Sequence, residues 1–430
     1  MNTLKIEKIF IVEFLFIICI KLIIEYFYLE ILSTTYLYAG FVLDFDMTKY
    51  IIGWIIYLFG YSFLYYKRKL HIFEIYLFLY FLYFLPNVVY FSLSNQPVLD
   101  FVSLVFPFLF LIFMTTNKEI IPLSRMKYGK LVVLSLSLGI ITLVIWHFYK
   151  STGGAYVLNF LDVYPFRAKY DDVSNAGIYG YLNSWAMKIF SVFLLAWALL
   201  RAKISLIIIA GISIIMLFIF SGHKSALQGI VLVSFFYFLF GFKDRRVLII
   251  GGFFFMFLIA SVLTIFADQI MIGSVLIRRL LFVPAQLNFS YIEYFSLNEH
   301  IYWANSVLKL FMDYPYEVTP AKLIGTFLGE PDMSANTGFI ASGFMHGSYL
   351  GILIYMLIAV IIFNIINLLA KNIDKYIVLS IIILPINTMF ISSDLLTTLL
   401  THGLIIAIIV LWLYDSEEYR LSIKKLSIKI

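Results

Sequence analysis

Apolar runs long enough to cross a hydrocarbon layer recur from one end of this chain to the other. A helix needs about 20 such residues to span a bilayer. A chain in lipid must satisfy every backbone group internally, so it is confined to helices or a closed barrel. The short alternating strands of a barrel are absent, which leaves a helical, polytopic membrane protein. Composition agrees, with 63% hydrophobic and 13% charged residues. Soluble domains are nearer half apolar and a quarter charged.

The runs predict about twelve spans, at 9–29, 50–66, 70–93, 99–115, 131–149, 181–200, 204–220, 224–242, 247–266, 346–370, 376–391 and 395–414. Two are interrupted, by Pro86–Asn87 and by Pro385, which a membrane helix tolerates when neighbours satisfy the freed carbonyl. The N-terminal run has no small-residue cleavage site and is expected to stay attached. The single cysteine, Cys19, excludes a disulfide framework and a cysteine metal cluster, and reads as a small apolar residue. The six histidines are dispersed and form no metal-binding spacing. No glycine-rich phosphate loop opens a helix, so a nucleotide-sugar donor is not expected. No internal repeat supports an inverted-repeat transporter.

Charge gives the orientation. With the N-terminus inside, alternate loops hold Lys5, Lys8, Lys67, Arg68, Lys69, Lys118, Arg125, Lys127, Lys130, Arg201, Lys203, Lys243, Arg245, Arg246, Lys371, Lys375, Arg420, Lys424, Lys425 and Lys429, most of the 31 basic residues. Both termini are then cytoplasmic. Lys21 and Glu25 share the first span at a spacing suited to an intrahelical pair. Lys188 falls near the outer half of the sixth span. Nine cations face outward: Lys49, Lys150, Arg167, Lys169, Lys224, Arg278, Arg279, Lys309 and Lys322. Pairing with Asp171, Asp172 or Glu293 would explain some of them.

The whole chain, 1–430, reads as a single transmembrane domain with unequal external segments. Segment 30–49 is intermediate, 150–180 is longer, and 267–345, between the ninth and tenth spans, is by far the longest. Loops of that length carry function or disorder. "IRRLLFVPAQLNFSYIEYF" and "HIYWANSVLKLFMDY" are too aromatic for disorder and predict amphipathic helices on the membrane surface or over a cavity.

"SGHKSALQG", at 221–229, puts His223 and Lys224 at the outer start of the eighth span. The free N–H groups of a first helical turn, with a lysine beside them, make an anion site. The alternative is that Lys224 snorkels to headgroups. "YPFRAKYDD" adds Arg167, and arginine grips phosphate through two parallel hydrogen bonds. "IRRLLFVPAQLNFSYIEYFS" adds Arg278, Arg279, Tyr291 and Glu293. Convergence of these clusters on one lipid-linked phosphate is the expectation.

These pieces carry a resemblance. "FRAKY" before a span, the Gly-x-Lys of "SGHKSAL", the "RRLLFVPAQLNFSYIEYFS" stretch and "SANTGFIASGFMHGSYLGILIY" leading into the tenth span resemble the Wzy-type O-antigen and oligosaccharide repeat-unit polymerases. With the span count, the likeness extends over nearly the whole chain. It implies a fold similar to the GT-C membrane glycosyltransferases, related to O-antigen ligases. It implies an undecaprenyl-pyrophosphate-linked glycan as donor and as acceptor, and no cofactor or catalytic metal. It further implies chain-length regulator and flippase partners, membrane lipid around the protein, no nucleic acid, and a bacterial inner membrane. One departure is that Arg167 is followed by Gly177 and Gly180 rather than by the repeated Arg-x10-Gly spacing of some members, so a two-loop catch-and-release account does not transfer.

On this reading Arg167, Lys224, Arg278 and Arg279 hold the departing pyrophosphate. Glu293 is the first candidate for the proton acceptor and His300 the second; the alternative for Glu293 is an ion pair with Arg278 or Arg279. His300 and His346 flank the large loop, whereas His71, His147 and His402 read as packed or interfacial. Tyr291, His223, Asn336 and His346 are the expected glycan contacts. Tyr294 and Trp303 are also available for stacking, although apolar packing suits most loop aromatics. An O-antigen ligase shares this architecture. A flippase or other transporter would instead line a central cavity with charge.

Overall fold

A computed structural model describes residues 2–119, 126–159, 162–174, 177–223, 225–242, 244–415, 420–423 and 426–429. Lys224, Arg125, Lys243, Lys424 and Lys425 lie outside them. The long helices, in chain order, are α1 (Asn2–Phe27), α2 (Met47–Tyr66), α3 (Phe73–Leu93), α4 (Val98–Met114), α5 (Gly129–Ser151), α6 (Ile178–Leu200), α7 (Ile204–Ser221), α8 (Ser225–Phe240), α9 (Arg245–Phe266), α10 (Ile270–Leu297), α11 (Phe339–Leu369), α12 (Lys375–Ile391) and α13 (Leu395–Tyr414). A short antiparallel hairpin pairs Arg420–Ile423 with Leu426–Lys429.

Among the described residues nine helices are long and apolar enough to cross a membrane. Eight match expected spans, and α10 is the ninth. Of the other expected spans, α4, α8 and α12 are apolar but shorter. The remaining one, α1, has the length but holds Glu13, Lys21 and Glu25 in its apolar stretch. The exposed rows Ile51, Ile55 and Phe59 on α2 and Ile208, Ile212 and Ile215 on α7 are apolar at helical spacing. A surface of that kind suits lipid. The chain is a polytopic helical membrane protein.

Contacts divide it into two compact units. The first comprises 1–116, 244–363 and 387–395, with α3 buried along nearly its whole length. Pro86 interrupts the hydrogen-bond ladder of α3. A stretch of i→i+5 bonding at Tyr80–Phe84 precedes it, and Asn87 Nδ2 donates to the carbonyl of Tyr83 at 2.7 Å. The carbonyl that Pro86 leaves without its helical donor is that of Leu82, so the Asn87 bond braces the turn next to the interruption.

The charges of α1 are buried in this unit. Lys21 pairs with Glu25 one turn on, as the spacing predicts, and lies 4.2 Å over the ring of Trp54. Glu13 accepts from Tyr61 Oη at 3.0 Å and lies 3.6 Å from Arg246 Nε.

Each unit sorts its polar residues to two ends. In the first, Lys49 Nζ donates to Asn95 and Gln96, and Asn95 donates to Asp44, all residues that the charge pattern sets outside. At its other end Lys67 caps the carbonyl of Phe113, and Arg246 reaches Glu13. The second unit comprises 117–243, 364–386 and 396–430. There Lys371 pairs with Glu119 at 2.8 Å at one end. At the other, Val157 N–H bonds Ile219 and the ring of His147 stacks on Tyr179 at 3.7 Å.

The segment 267–345 begins with α10, 28 residues long. Its first turn touches the ends of two spans, because a Cβ on Gly273 would meet Thr264 and Phe27. Arg278 lies over Tyr36, Gln286 donates to Ala39, and Phe289 packs on Tyr90. These neighbours belong to the Asp44–Asn95 end of the unit, or to the turn just below it. Asn288 of α10 also bonds Asn87, within α3, at 3.2 Å, and α10 is itself long and apolar enough to cross a membrane.

Candidate functional site

In the second unit the sequence brings two of its basic motifs together. The short helix Val163–Lys169 carries Arg167, exposed, with its stem against the turn after α7. Gly222 closes that turn in the left-handed region at φ +67°. A Cβ there would stand 3.0 Å from Phe166 and 3.2 Å from Arg167 Cγ, so glycine suits the left-handed conformation and the narrow space. His223 follows. Its backbone N–H bonds Ser221 Oγ at 3.2 Å, and its buried Nε2 has no partner among the described residues.

Burial, then the charge of Arg167, pushes the His223 imidazole down to about 4, with Lys188 adding to the fall and Asp171 opposing it. His223 is therefore neutral at neutral pH beside two cations. Lys188 sits in an i→i+5 stretch of α6, Ala186–Phe190, and donates to His402 Nδ1 at 2.8 Å. Trp185 Nε1 caps the carbonyl of Leu400 at 2.7 Å beside it. Arg167 and Lys188, and the acidic Asp171, all lie within electrostatic reach of this imidazole and its unused ring nitrogen. His402 is packed, as expected, and its partner is the one lysine that sequence alone sets within span six. Lys224 lies outside the described residues.

The other candidates lie in the first unit. Arg278 Nε bonds Ser274 Oγ at 3.1 Å and its guanidinium lies 4.3 Å over Tyr36, whereas Arg279 is exposed. Glu293 is exposed on α10 and within electrostatic reach of Asp100 and Tyr90; among the described residues it pairs with neither arginine. His300 is half-buried, edge-on to Phe344, with Nδ1 buried and unpartnered. Tyr291 is buried and donates to the carbonyl of Ala335 at 2.9 Å, so its ring and hydroxyl both serve packing. Asn336 is exposed and bonds Ser334.

His346 is fully enclosed, at a break in α11. Gly347 and Ser348 leave helical geometry, Ser348 at φ +54°, ψ −143°. The break frees carbonyls, and the loop satisfies them: Ile301 N–H bonds Met345 at 3.1 Å and Tyr302 N–H bonds His346 at 3.0 Å. Tyr302 and Trp303 take left-handed backbone to do this. The Trp303 ring stacks on His346 at 5.0 Å. Its face is spent there rather than offered to a sugar. Trp303 Nε1 donates to Tyr355 Oη, and Tyr355 Oη donates to Asp394 Oδ2, both at 2.8 Å. His346 Nε2 also meets Asp394 Oδ2, at 3.2 Å.

Sequence reasoning missed Tyr355 and Asp394. The available signal was an aspartate in the brief polar connection "SSD" between two apolar runs. Comparison with known protein families, with curated proteins and with solved structures finds no match.

Proposed function

We propose that this protein is a membrane glycosyltransferase that polymerises undecaprenyl-pyrophosphate-linked repeat units into O-antigen or a similar polysaccharide, at the outer face of a bacterial inner membrane. The observation that carries this reading is the cluster of Arg167, Gly222, His223 and Lys188. Transfer of a glycan from its carrier breaks the bond between the anomeric carbon and the pyrophosphate oxygen. The electron pair leaves with the pyrophosphate, and fixed cations in a water-poor place stabilise it as it develops. Arg167 supplies a fork for two phosphate oxygens. Lys188 and His223 add field and a hydrogen bond. Lys224 belongs to the same sequence motif and to the same assignment, and Arg278 and Arg279 are proposed as further phosphate ligands. The motif resemblance to repeat-unit polymerases supports the substrate class.

The test uses purified protein in nanodiscs with a lipid-pyrophosphate-linked repeat unit and no nucleotide sugar. Longer lipid-linked glycans and free undecaprenyl pyrophosphate are expected. Arg167→Ala should weaken donor binding about tenfold or more, as loss of a charge-assisted hydrogen bond does. Unchanged glycan length with the wild-type protein rejects the proposal.

A second reading, a transporter of lipid-linked oligosaccharide, is favoured by one observation: Glu13, Lys21, Glu25 and Lys188 lie within apolar helices, with Lys188 bonded to His402 in the turn after Leu400. Ionisable groups there commonly mark a pathway. Flipping of the same lipid in proteoliposomes, without chain growth, would select it.

A further inference from the structure

The cluster around Asp394 holds a carboxylate aimed by a rigid frame, and neither expected proton acceptor has such a frame. The frame begins with the tautomer of His346. Trp303 donates its backbone N–H to His346 Nδ1 at 3.1 Å. Nδ1 is therefore an acceptor, and the proton of the neutral ring sits on Nε2, directed at Asp394 Oδ2. Tyr355 turns its own hydroxyl proton to the same oxygen, because its oxygen is already accepting from Trp303 Nε1. Two donors thus converge on one carboxylate oxygen from residues that are themselves fixed. His346 is 1% exposed and Tyr355 is likewise enclosed. The Asp394 side chain keeps 20% exposure. It is less enclosed than His346 and Tyr355.

The backbone around it is under strain. Tyr302, Trp303 and Ser348 all have positive φ without being glycine, and all three lie within two residues of the cluster or in it. Strain of about 1–3 kcal/mol per residue persists where surrounding structure enforces it, and it concentrates at binding and catalytic places. A broken helix in a membrane protein is likewise tolerated where it lines a protein cavity. Glu293 and His300 lack comparable positioning: one is exposed and the other has an unpartnered nitrogen.

Resting on the polymerase reading above, we propose that Asp394 receives the proton of the acceptor sugar's hydroxyl, with His346 and Tyr355 as positioning residues. The acceptor oxygen forms its bond to the anomeric carbon of the donor. The carbon–oxygen bond to pyrophosphate breaks and its electron pair leaves with the pyrophosphate. The hydroxyl proton passes to the Asp394 carboxylate and from there to water. The ligand class is an acceptor glycan hydroxyl.

The experiment measures kcat, donor KM and donor binding for the purified protein in nanodiscs with a lipid-pyrophosphate-linked repeat unit. Asp394→Asn keeps the shape and removes the base. Its kcat should fall on the order of 100-fold or more, the usual worth of a positioned base, with donor KM and binding within about threefold of wild type. Asp394→Glu should recover part of the rate. His346→Gln and Tyr355→Phe should lower kcat about tenfold each, the worth of one hydrogen bond to a charged group, and leave donor KM unmoved. Arg167→Ala should do the reverse, raising donor KM. Monodisperse elution and unchanged melting of Asp394→Glu guard against misfolding. Near-normal kcat in Asp394→Asn overturns the proposal while leaving the polymerase reading intact. Loss of donor binding in Asp394→Asn, matching Arg167→Ala, overturns it by moving Asp394 to the donor side. A wild-type protein that makes no polymer overturns both.

Discussion

His223 shows how one side chain reports its surroundings. Burial and the nearby Arg167 and Lys188 hold its imidazole down to about 4, below the ordinary value of 6.5. Between those values the unfolded chain takes up a proton that the folded chain refuses. Stability contributed by this site is therefore present above about pH 6.5 and is lost as pH falls towards 4. His223→Asn in detergent should melt less pH-dependently than wild type between pH 7 and pH 5, as followed by thermal-shift fluorescence. An identical pH slope would remove His223 from the cluster with Arg167 and Lys188. Gly222→Ala tests the same place differently. The left-handed backbone costs a Cβ about 1–2 kcal/mol, and the new methyl presses on Arg167 and Phe166. Lower melting together with weaker donor binding is the expected pair of results. The motif around His223 was legible in the sequence as a charged turn between apolar runs. Its meeting with Arg167 required the fold, because about 55 residues separate the two.

At the scale of elements, broken and charged helices are where this chain departs from a plain apolar pattern. The sequence placed the start of the tenth span near 346, and the break at Gly347–Ser348 within Phe339–Leu369 falls beside it. The eight residues before the break are largely apolar as well, so hydropathy alone does not mark a backbone kink there. The two glycines either side of the break did carry the signal. A Cβ on Gly351 would stand 2.0 Å from the carbonyl oxygen of Gly343, so the backbones touch there. Gly351→Ala should destabilise the protein by about 1–3 kcal/mol through overpacking, with a loss of the Trp303–Tyr355 geometry that intrinsic tryptophan fluorescence would follow. Unchanged melting would mean the contact yields cheaply. In α1 the reverse holds. The spacing of Lys21 and Glu25 was enough to predict their pair, because an i,i+4 contact is local. Lys21→Met strands Glu25 among apolar groups, and removing one partner of a buried pair costs about 3–5 kcal/mol. Lys21→Met/Glu25→Leu should restore much of that stability in the same melting assay.

At the scale of the whole chain, the helical membrane class and most span positions were legible because hydropathy is a sum over many residues. The sites were legible only as scattered charges, since Asp394, Tyr355 and Trp303 meet through contacts far apart in sequence. The helix α10 is where length and contacts give different answers. It is long and apolar enough to span. Yet Phe27, Tyr36, Ala39, Tyr90 and Thr264, which it touches through side chains or close approach, lie towards one end of the first unit, and Asn87, which Asn288 bonds, lies less than two turns below Tyr90's end of α3. A crossing helix would have to meet residues at the Lys67–Arg246 end as well. Reporters fused after residue 268 and after residue 310 should therefore give the same side, the periplasm, and fusions after 68, 202, 245 and 373 should give the cytoplasm. Opposite signals at 268 and 310 would make α10 a true span. The positive-inside pattern would then fail for every loop that follows it, with Lys371 and Lys375 moved to the outside.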